Sequence, residues 1–244
     1  VQLEPGKPEA VGLSRALLER AAELLQSEIR AGSVRSASIL VARQGKIVLH
    51  RGFGQLSSQP GAPAVAPDSI YQVASITKPV TALALMLLVE RGQLSLSDPV
   101  SLHLPEFAGK DRAKTRVIDL LAHTSGLPDM LPENTELRRA HAPLKDFVQR
   151  TMTTPLSFPP GTDFQYQSMG ILLAAEIVER ISGMSLPEFE RKEIFDPLGM
   201  KHSVLGLAPH RVADTVQMQE ASTANATDLA RFGGNSEYWR RIAH

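Results

Sequence analysis

The sequence predicts an α+β protein, a hairpin-bearing α/β part followed by a helical block. Three observations carry that expectation. Two β-rich runs near the N-terminus flank the short turn "RQGK". After Tyr71 the apolar residues fall at helical spacing in one segment after another. The length, 244 residues, allows one large domain or two interleaved ones with a sizeable buried core.

The elements follow in order. "LSRALLERAAELLQSEIRAG" places Leu17, Leu18, Ala21, Leu24, Leu25 and Ile29 on a helical stripe, with Ser14 as N-cap and Gly32 as its stop. The runs Ser38 to Ala42 and Ile47 to His50 form the β-hairpin. "SSQPGAPAVAPDS" is a Pro-rich loop. Val80 to Glu90 is apolar nearly all round, which suits a helix buried among other helices. "TRVIDLLAHTSGLPD" reads as a short helix entering a loop, and "APLKDFVQRTM" as a further helix. "SMGILLAAEIVERISG" is another, closed by Gly183. "SLPEFERKEIFDPLGM" starts a helix at Ser185 with Pro187 in the first turn.

Composition narrows the function classes. Twenty-six basic residues balance twenty-six acidic ones, so no nucleic acid or anionic membrane partner is expected. The absence of cysteine removes disulfides, thiolate metal sites and a cysteine nucleophile together. The longest apolar run, "ALALMLLV", is too short to span a bilayer. The opening "VQLEPGKPEA" is polar, unlike a signal peptide, and has no initiator Met, as when a leader has been removed. Localisation stays open, periplasmic or cytoplasmic.

Ser75-Ile76-Thr77-Lys78 opens the long apolar run. Residues three apart on a helix share a face, so the Lys78 amine can lie against the Ser75 oxygen. A serine hydroxyl needs a base to become a nucleophile, and a desolvated lysine can serve. Helix N-terminal amides would then help hold the charge developing on an attacked carbonyl. Pro79 fits a helix's opening turn, which puts Ser75 at the helix mouth. By itself the tetrapeptide is weak, since S-x-x-K is expected roughly once by chance in a chain this long.

Context makes it strong. "YQVASITKPVTALALMLLVERGQLSLSDPVSLHLPEF", "VIDLLAHTSGLPD", "PPGTDFQYQSMGILLAAEIVERISG" and "IFDPLGMKHS" stand in this order along the chain. In order and spacing they resemble the serine β-lactamase-related family, which includes class C β-lactamases, D-Ala-D-Ala carboxypeptidases and β-lactamase-like esterases. With the hairpin, the resemblance covers most of residues 15–205. It implies a β-lactamase/transpeptidase-like fold, an antiparallel sheet flanked by helices with an all-helical insertion domain. It also implies Ser75 as the acylated nucleophile, Lys78 as its proton partner and Tyr166 as the tyrosine of the family's Y-x-N motif. Gln167 and Ser168 complete that motif and are expected on the substrate side.

A phenol near Lys78 could relay a proton between Ser75 and the leaving group. The plain alternative for Tyr166 is a loop aromatic capping the next helix. Of the other two tyrosines, Tyr71 reads as loop packing and Tyr238 as a tail aromatic. Ser168 stands where the family usually has asparagine. A hydroxyl replaces an amide donor and carbonyl acceptor, which tilts the reading from a dedicated β-lactamase toward an esterase or peptidase-like enzyme. His123, in "HTSG", is expected as a hydrogen-bonded loop residue rather than a general base, Asp129 as a loop residue and Asp98 as a turn-former. There is no G-x-S-x-G elbow, no H-E-x-x-H and no phosphate loop. No metal or other cofactor is expected.

The family's third motif, K-T-G or H-x-G, is not found in residues 205–244. "STANATDLARF", Ser222 to Phe232, resembles the helix that precedes the last third of such proteins. A shortened form of a longer enzyme is the favoured explanation. A second chain completing the sheet and a degenerate relative without turnover remain alternatives. The expected domains are residues 1–72 with 205–244, an incomplete α/β part, and residues 73–204, the helical part carrying the nucleophile, with the site in the cleft between them. The expected function is a serine hydrolase acting through an acyl-enzyme on a small ester, a β-lactam or a D-amino-acid peptide. The alternative is a catalytically impaired penicillin-binding-like or scaffold protein.

Overall fold

The computed structural model describes residues 3–219 and 225–243. Contacts divide the chain into two units, Val1–Gln72 with His210–Thr223, and Val73–Pro209 with Ala224–His244.

The first unit is built on the hairpin. Strand β1 (Glu4–Pro5) and a 3-10 turn (Pro8–Val11) lead to helix α1 (Arg15–Arg30), where Ser14 Oγ accepts the Leu17 amide at 3.4 Å as N-cap. Leu17 and Leu24 of the expected stripe are exposed, and the buried residue of the helix is Ala22, which lies outside that stripe. Strands β2 (Ser36–Arg43) and β3 (Lys46–Gly54) run longer than the sequence pattern suggested. Their connection has φ of 50° at Gln44 and 76° at Gly45. Two consecutive positive φ values are what a two-residue hairpin needs to match strand twist, and glycine supplies the second without strain.

The register slips between Val41 and Ala42, which face Leu49 and Ile47, so Val48 is the extra residue of a bulge. β1 joins β3 in parallel, giving the order β1-β3-β2. Strand β4 (Ile70–Tyr71) pairs in parallel with β5 (Thr215–Val216), which follows a 3-10 turn at Val212–Asp214. Tyr71 is therefore a strand residue, packed against the small cluster of Leu56, Val65 and Val216, rather than loop filling. The hairpin is antiparallel as expected, but these two short pairings are not.

The second unit is helical. A 3-10 turn (Ala74–Ile76) runs into α2 (Thr77–Glu90). Then come α3 (Val100–His103), α4 (Val117–Leu121), α5 (Asn134–Arg139), α6 (Leu144–Thr153) and α7 (Met169–Ser182). Helix α8 (Leu186–Glu190) continues into one π-helical turn, Arg191–Phe195. Helices α9 (Ala226–Phe232) and α10 (Glu237–Arg241) close the described chain. The helix expected over Ser222 to Phe232 is thus seen from Ala226, and its first residues lie outside the described ones.

The core is the contact of α2 with α7. Ala84, Leu85 and Leu88 meet Leu173, Ala174, Ile177 and Val178, with Phe107 and Phe189 also fully enclosed. Each such leucine contributes about 1.5–3 kcal/mol of burial. α2 is not enclosed on every side, however. Leu83 and Met86 are 44% and 39% exposed, which corrects the expectation of an all-round buried helix.

The last residues also differ from the expected division. Contacts group Ala224–His244 with the helical unit, not with the sheet. The Arg138 guanidinium donates to the Phe232 carbonyl (Nη2, 2.6 Å), the Tyr238 hydroxyl donates to the Ala142 carbonyl at 2.8 Å, and the Tyr238 ring stacks on His141 at 4.5 Å. Among the described residues no helix is long and apolar enough to cross a membrane.

Candidate active site

All the residues singled out for chemistry lie in the helical unit. Ser75 sits in the 3-10 turn that leads into α2, and Lys78 in the first turn of α2. Pro79 follows in that opening turn, where its missing N–H disrupts no helical hydrogen bond. Ala74, immediately before the serine, has φ of +46°, a left-handed conformation uncommon outside glycine. The result is an exposed hydroxyl with an amine beside it: Lys78 Nζ donates to Ser75 Oγ at 3.0 Å.

Tyr166 comes from the loop before α7. Lys78 Nζ lies 4.8 Å from the centre of its ring, which remains 43% exposed. Hydrogen bonding with Lys78 and then Ser75 holds the Tyr166 phenol below its ordinary pKa. The Lys78 charge adds to the lowering, while partial desolvation and the Asp129 charge oppose it. The structure therefore brings Ser75, Lys78 and Tyr166 together.

The loop carrying Tyr166 is pinned by His123. The Gln165 amide donates to the His123 carbonyl at 3.0 Å, and the Gln167 amide to His123 Nδ1 at 3.3 Å, so the amides on both sides of Tyr166 are tied to one residue. The imidazole lies 4.8 Å from the Tyr166 ring, tilted by 42°, and edge-on to Phe164 at 6.0 Å. Burial first, and the Lys78 charge second, push its pKa down, with Asp129 and the Gln167 bond opposing. A neutral ring accepting at Nδ1 carries its proton on Nε2. His123 holds Tyr166 in place, and its own φ of +61° is part of the tight turn that does so.

Gln167 corrects an expectation. Its side chain is fully buried, not turned to substrate. Its Oε1 accepts from Ser125 Oγ at 2.6 Å, and its Nε2 donates to the Asp119 and Leu120 carbonyls at 3.3 and 3.5 Å. Every polar atom is occupied in fastening the Tyr166 loop to α4 and the H-T-S-G turn. Asp119 strengthens the same junction, its carboxylate accepting from the Arg116 amide, the Arg116 guanidinium and Thr124 Oγ1. Burial raises the Asp119 pKa, but these donors outweigh it and the net shift is downward.

Ser168 is half-buried. Its Oγ donates to Asp129 Oδ1 at 2.7 Å and its amide to the Asp129 carbonyl at 3.3 Å. The hydroxyl hydrogen is thus committed within the protein. The pairing spans thirty-nine positions, so no local pattern announces it.

Sequence reasoning also passed over Glu190. It is 1% exposed, and its Oε1 accepts from Thr81 Oγ1 at 3.3 Å on α2, one turn beyond Lys78. Burial pushes its pKa up to about 7, with the Thr81 bond opposing. A signal existed: Glu190 stands four residues after Leu186 and four before Ile194, on a stripe that is otherwise buried and apolar. Among the described residues, no group of three or more His, Cys, Asp or Glu could hold a metal ion.

The family model described as Beta-lactamase matches residues 18–241, and the chain belongs to that family. Protein flp of Staphylococcus aureus (strain MW2) is 30% identical over 183 residues, which are 74% of this chain and 36% of that protein. The solved structure of EstCE1, a hydrolase with promiscuous acyltransferase activity, superposes with a TM-score of 0.65 at 25% identity, covering 76% of this chain and 52% of that one. The octameric penicillin-binding protein homologue from Pyrococcus abyssi gives a TM-score of 0.66 at 30% identity over 75% of this chain and 43% of its own. The fold is of the β-lactamase/transpeptidase type. The chain spans about a third to a half of the length of these relatives.

Proposed function

We propose that the protein is a serine hydrolase that works through an acyl-enzyme on small ester or amide substrates. The observation that carries this is the 3.0 Å contact of Lys78 Nζ with Ser75 Oγ, with Tyr166 against both. Tyr166, its phenol made more acidic by these neighbours, serves as phenolate and takes the Ser75 proton. The Lys78 N–H groups stabilise that phenolate and direct Ser75 Oγ.

Ser75 Oγ attacks the carbonyl carbon, and the oxyanion faces the Ser75 amide N–H as one of its donors. Collapse expels the alcohol or amine, which receives its proton from Tyr166. Water enters, loses a proton to Tyr166 and attacks the acyl carbon; Ser75 Oγ then leaves and takes that proton back from Tyr166, which restores the phenolate. An acyl-enzyme of this kind can also pass its acyl group to another nucleophile, as befits similarity to a hydrolase with acyltransferase activity.

Treatment with a fluorophosphonate or a fluorescent penicillin, followed by intact-mass measurement, tests the nucleophile. One adduct is expected on the protein and none on Ser75→Ala, whereas equal labelling of the variant refutes the assignment. Turnover of p-nitrophenyl acetate or butyrate alone identifies an esterase, and rapid nitrocefin hydrolysis a β-lactamase. Silence with both favours the binding or scaffold reading. A second chain completing the sheet would pair along β2, the longer of the two outer strands in the order β1-β3-β2. Light scattering would report it as a doubled mass.

A further inference from the structure

We propose that His123 positions Tyr166 only while its ring is neutral, so that a proton taken up on Nδ1 frees the Tyr166 loop and turns the enzyme down in mildly acid solution. The inference rests on the hydrolase reading and adds a pH-sensitive positioning residue to that same site.

The backbone on both sides of Tyr166 ends on this one residue. The Gln165 amide donates to the His123 carbonyl at 3.0 Å, a bond indifferent to pH. The Gln167 amide donates to His123 Nδ1 at 3.3 Å, a bond that lasts only while Nδ1 keeps its lone pair. An imidazolium would turn an N–H toward that amide, setting donor against donor. Gln167 is fully buried, so its amide would lose its acceptor in a place shielded from water.

The ring also packs on Tyr166 itself, at 4.8 Å and a tilt of 42°. Lys78 Nζ lies 4.8 Å from the centre of the same Tyr166 ring, so one phenol meets both groups. A proton on His123 therefore adds a second positive charge to the side of the site that Lys78 occupies. The charged groups acting on the imidazole are Lys78 from α2 and Asp129 from the loop after α4, with Tyr166 and the uncharged Phe164 as its ring neighbours. Burial first, then the Lys78 charge, hold its pKa below the ordinary 6.5, with Asp129 among the opposing influences. The ring is neutral at pH 8 and becomes charged in mild acid.

The pH–rate profile of p-nitrophenyl acetate hydrolysis tests this on the unaltered protein. The rate follows the phenolate fraction of Tyr166 multiplied by the neutral fraction of His123. Log kcat/KM should therefore rise with slope one above the His123 pKa and steepen toward two below it. His123→Asn places Oδ1 near the position of Nδ1, an acceptor at every pH, on a residue that tolerates the left-handed backbone. It should lose the steepening. Glu190, which titrates at about 7, is intact in that variant, so a break owed to it would survive there. His123→Leu keeps the bulk without an acceptor. Its kcat should lie about 10- to 100-fold below that of His123→Asn at pH 8, the scale of a misplaced catalytic group, with KM little changed.

A profile of single slope, a break that coincides with unfolding by circular dichroism, a break that persists in His123→Asn, or a leucine variant as fast as the asparagine one overturns the inference and leaves the hydrolase in place. No turnover at any pH and no Ser75 adduct overturns the hydrolase reading itself.

Discussion

Thr81 and Glu190 share a single hydrogen bond of 3.3 Å inside the helical unit, joining the nucleophile helix to α8 at a site closed to water. Glu190 has a pKa of about 7 against an ordinary 4.5. A raised carboxyl pKa means that the folded state holds the proton more tightly than the unfolded chain. Stability is therefore fullest below pH 4.5 and declines as pH rises through 7. Glu190→Gln should leave the melting temperature nearly unchanged at pH 4.5 and raise it at pH 8, by roughly 2–3 kcal/mol in stability. Thermal melts at the two pH values decide it, and a variant less stable at pH 8 would contradict the burial argument.

Tyr166→Phe removes the phenol and keeps the ring against His123. The acylation rate should fall about 100- to 10,000-fold, the range for losing one general acid–base group. With the phenol as the proton acceptor, activity should rise with pH along a limb that turns over below the ordinary tyrosine value of 10, in the direction of the Tyr166 shift. The phenylalanine variant should lack that limb. A pH–rate profile of p-nitrophenyl acetate hydrolysis shows both effects.

Gln167→Ala should act on stability and on activity together. It leaves the buried Ser125 hydroxyl hydrogen without its acceptor and takes the side-chain donor from the Asp119 and Leu120 carbonyls, at a cost of about 1–3 kcal/mol. It also loosens the loop that presents Tyr166. Chemical denaturation with a parallel rate measurement would detect the pair of losses. An intact rate in a destabilised variant would show that His123 alone is sufficient to hold the loop.

Gly126→Ala tests the H-T-S-G turn. Gly126 has φ of +79°, and a Cβ there would stand 2.3 Å from the Phe158 carbonyl oxygen. Neither the left-handed backbone nor the contact with another backbone segment can be relaxed by turning a side chain. We expect a loss of roughly 2–4 kcal/mol, read as a lowered denaturation midpoint.

What the sequence made legible was local. The hairpin, the helix after Pro79 and the three-residue step from Ser75 to Lys78 each depend on neighbours in the chain, and each has the form expected. The less legible features depend on distant partners. The parallel pairings of β1 with β3 and of β4 with β5 involve two residues each, too few to leave an alternation pattern. The docking of α9 against α5 rests on Arg138 and the Phe232 carbonyl, ninety-four positions apart. Gln167 looked available to a ligand because it neighbours Tyr166. Its polar atoms were committed to Ser125 and two carbonyls that no short motif encodes. The exposed Leu83 and Met86 show the complementary error, since an evenly apolar helix gives no hint of which face is covered.

Ala74 has one more consequence. An alanine twisted into a left-handed bend directly ahead of the reactive oxygen stores about 1–2 kcal/mol of discomfort that its neighbours must oppose. Exchanging it for glycine would let that tension go. The variant should survive hotter solutions yet acylate more slowly, because the hydroxyl would wander over more directions than the carbonyl can use. Heat tolerance and chemical aim are then set against each other at one methyl group.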